Sequence, residues 1–204
     1  MFITIDGPDG TGKTTVAKLL VDKINQTPPY KGIYTSEPSD LATGKRIREI
    51  LRQGGQRTES LTRLFVEDRR EHIEKVILPQ MKNDHVIVCD RYKYSTIAYQ
   101  HLQGEEIPYL IELNQDFPSP DLAFILYVEN SNILMERINQ RSEERELFET
   151  KSMLEKSMAI YREMGNYYPQ ENIIFVQADG EIEQIADKLY GWVLSRIGVR
   201  NGDK

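Results

Sequence analysis

Short apolar runs recur along the chain at residues 2–5, 32–35, 86–89, 122–128 and 173–176, separated by longer amphipathic stretches. The runs are rich in β-branched residues and too short for helices. Those in the middle lack strict apolar and polar alternation, the pattern of strands covered on both faces. Between them the spacing predicts helices over residues 12–25, 42–53, 58–82, 93–103, 131–139, 149–164 and 182–197. Strand and helix alternating along the whole length predict an α/β fold, a parallel sheet with helices on both faces. The stretch Gln140-Arg141-Ser142-Glu143-Glu144-Arg145-Glu146 interrupts this pattern with charge and reads as a mobile loop between two helices.

A length of 204 residues fits one domain with insertions better than two. With 39% hydrophobic and 28% charged residues, the chain can form a packed core and is not of the disordered or fibrous class. Its 26 basic and 32 acidic residues leave a net charge of −6, so the overall field repels polyanions. Any phosphate must therefore be met by locally placed donors, and a nucleic-acid polymer is not an expected partner. The single cysteine, Cys89, excludes an intramolecular disulfide, and no Cys/His spacing predicts a structural zinc, which suits a reducing cytosol. The start, Met1-Phe2-Ile3-Thr4-Ile5-Asp6, lacks the basic residues and long apolar run of a signal peptide. No stretch approaches the roughly 18 apolar residues of a membrane span. The expectation is a soluble cytoplasmic protein with no membrane partner.

Directly after the first strand stands Gly7-Pro8-Asp9-Gly10-Thr11-Gly12-Lys13-Thr14, followed by Thr15, a full match to G-x-x-x-x-G-K-[ST]. Glycines free the backbone to wrap a phosphate with its N–H groups, and the helix that follows offers its positive N-terminus. Lys13 is placed to reach the terminal phosphates of a nucleoside triphosphate, and Thr14 to offer a hydroxyl to Mg²⁺, a cation that takes oxygen ligands. No base-reading N-K-x-D or D-x-x-G segment of a GTPase switch is present. Small-molecule phosphoryl transfer is the leading class.

Two further constellations bear on the acceptor. Phe65 and Arg69 are four apart on the helix from residue 58, so a ring that can stack on a base sits one turn from a guanidinium that can bond its edge. Taken alone, the pair reads more readily as a core phenylalanine and an arginine that snorkels or pairs with a carboxylate. After the third strand comes Asp90-Arg91-Tyr92-Lys93-Tyr94-Ser95-Thr96-Ile97-Ala98-Tyr99-Gln100. Asp90 lies at the carboxyl end of a strand, where an open α/β sheet places its ligand groups, and can hold Mg²⁺ through water. Arg91, Ser95 and Tyr99 step by four and share a helical face. His72, His85 and His101 share no spacing and read as structural, Cys89 as a buried small hydrophobe, and Tyr161, Tyr167 and Tyr168 as packing residues.

The P-loop with its internal Asp9, the Leu64-Phe65-Val66-Glu67-Asp68-Arg69 run, and Asp90-Arg91-Tyr92 followed by Ser95 and Ala98-Tyr99-Gln100 resemble the signature of thymidylate kinases over roughly residues 1–165. The resemblance implies a P-loop nucleoside monophosphate kinase fold with a five-stranded parallel sheet and a short lid over about residues 140–149. It implies ATP with Mg²⁺ as donor, dTMP as acceptor and a homodimer. Carried onto this chain, Phe65 would stack on thymine and Arg69 would hydrogen-bond it. Arg91 would grip the acceptor phosphate, with Arg48 near it. Asp9 would sit between phosphates and sugar, and Tyr99 would crowd the 2′ position. Glu37, Ser95, Thr96 and Gln100 would complete the acceptor site. Gly10 stands where other members carry an arginine, and such members take their catalytic arginine from the lid, here Arg141 and Arg145.

Three segments depart from the family pattern. Ser36-Glu37-Pro38 replaces Arg-Glu-Pro, Thr96 stands where some members have asparagine, and Glu146-Leu147-Phe148-Glu149 replaces Asp-Arg-x-Glu. The competing readings are a kinase for another nucleoside monophosphate or a deoxynucleoside, and a nucleotide sensor without turnover. Retention of Lys13, Asp90, Arg91 and both lid arginines argues against the sensor.

Overall fold

Strand β1 (Phe2–Asp6) runs through the middle of a five-stranded parallel sheet in the order β2-β3-β1-β4-β5, in a computed structural model that describes residues 1–54, 60–140 and 150–202. The other strands are β2 (Gly32–Ser36), β3 (Val86–Asp90), β4 (Leu122–Tyr127) and β5 (Ile173–Gln177), which matches the predicted α/β architecture. Alternate residues of the inner strands feed two cores. Ile3, Ile5, Val88, Phe124 and Leu126 pack on one side with helices α1 (Lys13–Asn25) and α10 (Ile182–Gly202). Phe2, Ile87, Cys89, Ala123 and Ile125 pack on the other. Both faces being covered explains why these strands read as continuous apolar runs.

Helix α1 supplies the first core through Val16, Ala17, Leu20, Val21 and Ile24, a stripe at helical spacing. The second side carries α3 (Leu61–His72), α5 (Lys93–Leu102), α6 (Ile107–Asn114) and α8 (Lys151–Arg162), while α2 (Ala42–Arg52) packs on α3. The remaining helices are α4 (Leu78–Met81), α7 (Ser131–Asn139) and α9 (Met164–Tyr167).

The helix predicted over residues 58–82 is not continuous. Its described part starts at Leu61 and passes through a π-helical turn, Ile73–Ile77, into α4. Pro79 is the reason: it has no N–H for the carbonyl four residues back, and its ring crowds that carbonyl. The eight-residue α6 was not predicted, since one short apolar run, Ile107 to Leu113, does not separate helix from strand.

The topology positions the site. The connection leaving β1 runs to the β2 edge, and the one leaving β3 crosses to β4 on the other side, so the carboxyl ends of β1 and β3 diverge and leave a crevice between them. The Gly7–Thr14 loop follows one of these strands and Arg91 the other.

Candidate active site

The loop after β1 is shaped by glycines where side chains do not fit. Gly7 has φ 140°, and a Cβ there would stand 2.3 Å from the Leu126 carbonyl oxygen; at Gly10, φ 84°, it would stand 2.9 Å from that of Leu134. Gly12 precedes the first turn of α1, and the Thr11 hydroxyl closes the loop on the Pro8 carbonyl at 2.8 Å. Lys13 is buried, with its Nζ donating to the same carbonyl at 2.7 Å and standing 3.9 Å from Asp9. Burial lowers its pKa to about 8, the nearby Arg91 adds to this, and Asp9 opposes it. Thr14 and Thr15 face solvent.

Thr14 and Asp90, 76 residues apart, are brought into contact: the threonine hydroxyl donates to Asp90 Oδ2 at 2.5 Å. The other carboxylate oxygen of Asp90 is buried with no hydrogen-bond partner among the described residues. A hydroxyl and a carboxylate with a spare buried lone pair form an all-oxygen donor set beside the phosphate loop, and such a set fits Mg²⁺.

Arg91 follows with φ 68°, a left-handed conformation that is strained for a non-glycine residue. Asp6 at the end of β1 holds this turn. Its Oδ1 accepts from the Tyr92 N–H at 3.0 Å, the Ser95 N–H at 3.1 Å and the Ser95 hydroxyl at 2.7 Å, capping the start of α5. Complete burial raises the Asp6 carboxyl to about 6 against these hydrogen bonds. Because the Ser95 hydroxyl gives its proton to Asp6, the Tyr161 hydroxyl, 2.9 Å away, is the donor between those two. The Arg91 guanidinium pairs with Asp9, lies 5.3 Å from the centre of the Tyr99 ring and donates to Ser95 at 3.3 Å. The Tyr99 hydroxyl donates to the other oxygen of Asp9 at 2.9 Å.

These residues form one part of the lining of a cavity that opens to solvent. Asp9, Arg91, Ser95 and Tyr99 line it together with Glu37, Phe65, Arg69, Thr96 and Gln100, so the structure assembles nine of the residues singled out in the sequence. Pro38, Leu51 and Tyr92 complete the lining; Pro38 and Tyr92 stand in the motifs quoted above without a role assigned to them, and nothing in the sequence marked Leu51. Phe65 is half-buried on the wall, whereas Arg69 is 1% exposed. The Arg69 Nε donates to Glu37 at 2.8 Å, Nη2 lies 2.7 Å from the same carboxylate oxygen and donates to Thr96 at 3.0 Å, and Nη1 donates to Asn114. Arg69 thus lines the cavity and is also paired to a carboxylate, the structural alternative its sequence position allowed.

Glu37, His72 and Cys89 offer ligand atoms within 4.8 Å of one another, a cluster invisible in their spacing. Their polar atoms are already engaged. Glu37 bonds Arg69 and His72, His72 Nε2 meets Thr35 at 2.6 Å, and the Cys89 thiol donates to the Arg91 carbonyl at 3.1 Å. Burial pushes that thiol well above its usual pKa.

Arg48 is not among the residues lining the cavity. It donates to the Pro38 carbonyl at 2.5 Å and to the exposed Asp40 at 2.9 Å, bracing the loop that carries Glu37. Arg141 and Arg145 lie outside the described residues. Sequence reasoning missed Asp6 and Asn114. A lone aspartate ending an apolar strand was an available signal for the first, and nothing local marked the second.

A phosphate loop, a threonine–aspartate oxygen pair and a cavity walled by an aromatic ring and two arginines sit together at one crevice. A family model described as thymidylate kinase matches residues 5–189 of the chain. The chain belongs to the thymidylate kinase family. A probable thymidylate kinase of Thermococcus gammatolerans is 35% identical over 206 residues, covering 97% of each chain. The thymidylate kinase of Brachyspira hyodysenteriae is 34% identical over 189 residues, 92% of this chain and 90% of that one. Among solved structures, thymidylate kinase from Candida albicans superimposes with a TM-score of 0.79 at 24% identity, over 95% of this chain and 91% of that one. The enzyme from Ehrlichia chaffeensis gives 0.75 at 24% identity, over 95% and 98%. In this family member, Ser36 pairs in register with Asp90 at the end of β2, and Thr96 accepts from Arg69. Among the described residues no helix is long and apolar enough to cross a membrane.

Proposed function

We propose that the chain transfers the terminal phosphoryl group of ATP to dTMP, giving dTDP and ADP. The observation that carries this reading is the cavity itself, which is lined by the Asp9–Arg91 ion pair with Tyr99 on it and by Phe65 and Arg69, and adjoins the phosphate loop through Asp9.

In this reading the N–H groups of the loop from Gly7 to Thr15 and the N-terminus of α1 hold the donor phosphates, and Lys13 turns from the Pro8 carbonyl to them. Thr14 and Asp90 would hold Mg²⁺, which when bound screens charge on the donor phosphates. Phe65 stacks on the base, Arg69 bonds its edge, Arg91 grips the acceptor phosphate, and Tyr99 stands against the sugar. The acceptor phosphate oxygen is already a nucleophile, so the protein's task is alignment for in-line attack and neutralisation of the charge that spreads over the transferred group. Arg141 and Arg145 supply that neutralising charge when both nucleotides are bound. Assembly as a homodimer belongs to the same reading and is checked by sedimentation.

A coupled assay of ADP release against dTMP, dUMP, dCMP, dGMP and UMP tests the proposal. The highest kcat/KM is expected with dTMP. Highest activity with a purine monophosphate, or none with any pyrimidine, would overturn the thymidylate reading.

A further inference from the structure

Arg69 is the charged group that faces the base in the reading above, and its hydrogen bonds can be counted. A guanidinium carries five N–H groups in a fixed plane. The Nε–H and one Nη2–H meet Glu37, the second Nη2–H meets Thr96, and one Nη1–H meets Asn114. One Nη1–H is left. The plane is held from the side as well, with the guanidinium carbon 5.1 Å from the Tyr92 ring centre and 5.8 Å from that of Phe117.

Asn114 is the last residue of α6 and is fully buried. Its Nδ2 donates to the Leu110 carbonyl at 2.7 Å, so its amide is oriented with the oxygen toward Arg69. It touches no other cavity-lining residue through a hydrogen bond, and it does not line the cavity itself. Among the described residues its hydrogen-bonded link to the site therefore runs through Arg69.

We propose that Asn114 is a positioning residue that sets the choice among pyrimidines, by holding the Arg69 guanidinium so that a single fixed N–H is presented to the base edge. This rests on the assignment of the cavity to a pyrimidine monophosphate. With the phosphate on Arg91, the base edge remote from the sugar carries the 4-substituent, an oxygen in thymine and an amino group in cytosine. A fixed donor meets the oxygen as an acceptor. Against the amino group it sets donor against donor, and both are left unpaired in a dry site. A guanidinium released from Asn114 can tilt away from that clash while Glu37 keeps it in place, so the two bases become more alike.

The test is kcat/KM for dTMP and dCMP with wild type, Asn114→Leu, Asn114→Asp and Thr96→Val. Asn114→Leu removes the acceptor while keeping the number and branching of the side chain's heavy atoms, and is expected to lower the dTMP-to-dCMP ratio by about tenfold or more, through a higher KM for dTMP and a lower one for dCMP. Asn114→Asp keeps an acceptor oxygen toward Nη1 and is expected to retain most of the ratio. Should the leucine variant fail to fold, Thr96→Val frees an Nη2–H from the other side of the same group and is expected to lower the ratio in the same direction. A lower melting temperature with an unchanged ratio in the folded variants would overturn the proposal and make Asn114 a packing residue. Wild-type enzyme without a preference for dTMP over purine monophosphates would instead overturn the functional reading on which it rests.

Discussion

Arg91 and Asp9 are 82 residues apart in the chain and form an ion pair on the wall of the cavity, the one following β3 and the other inside the phosphate loop after β1. Burial works against charge on Arg91, and Asp9, Tyr99, Tyr161 and Asp90 together more than restore it, so the guanidinium stays ionised. The pair ties the turn after β3 to the loop after β1. Tyr99 fixes it further by donating to the second oxygen of Asp9.

If Arg91 holds the acceptor phosphate, Arg91→Ala should lower kcat/KM for dTMP by about 10²–10³-fold, the scale on which a charge-stabilising donor acts. Arg91→Lys should recover only part of this, since an ammonium does not present two parallel donors. Steady-state kinetics with dTMP varied at saturating ATP decide it. Unchanged kcat and KM in the alanine variant would remove Arg91 from the site.

The lid arginines are expected to act differently. A cation that meets the phosphoryl group only when both nucleotides are bound lowers kcat far more than it raises KM for either one. Replacing Arg141 and Arg145 together by alanine should therefore reduce kcat by on the order of 10² or more with KM values little altered. A kcat within about twofold of wild type would mark the segment as a solvated charge run.

Sugar choice provides a third test. If its ring stands against the sugar, with its hydroxyl on Asp9, Tyr99 should make dTMP a better substrate than its ribose counterpart by occupying space. Tyr99→Phe keeps the ring, so the preference should persist while turnover falls as Asp9 loses a hydrogen bond. Tyr99→Ala opens the wall and should bring the two kcat/KM values closer together. An unaltered preference in the alanine variant would place the ring elsewhere.

Asp6 predicts a pH dependence of stability. Its folded pKa of about 6 lies above the ordinary 3.8, so between these values the native state binds more protons than the unfolded one. Its favourable contribution is complete below about pH 4 and is lost as pH rises through about 6. Asp6→Asn keeps an acceptor for the Tyr92 and Ser95 donors and removes the buried charge. The variant should lose this slope, and its stability relative to wild type should rise by on the order of 1–3 kcal/mol between pH 4 and pH 7. Melting temperatures across that range measure it, and parallel curves for the two proteins would refute the assignment.

The sequence by itself determined the sheet, because strands buried on both faces must be apolar throughout and so stand out as short continuous runs. It also determined what lies within one turn or one loop: the phosphate-loop glycines, and the placing of Phe65 with Arg69 and of Ser95 with Tyr99 on single helical faces. Arg91, expected on the second of these faces, stands before α5 with φ 68° and meets Ser95 from the turn instead. Pro79 carried the signal for the break in the long helix, since a missing N–H is a local property, although the π-helical turn depended on how the chain accommodates it. Tertiary structure alone decided how the polar groups are partnered. Thr14 on Asp90, Asp6 beneath Ser95, and Glu37, Thr96 and Asn114 around Arg69 each join separate segments. A buried guanidinium must satisfy its N–H groups with whichever acceptors the packed fold brings within about 3 Å, and that set is fixed by several elements at once.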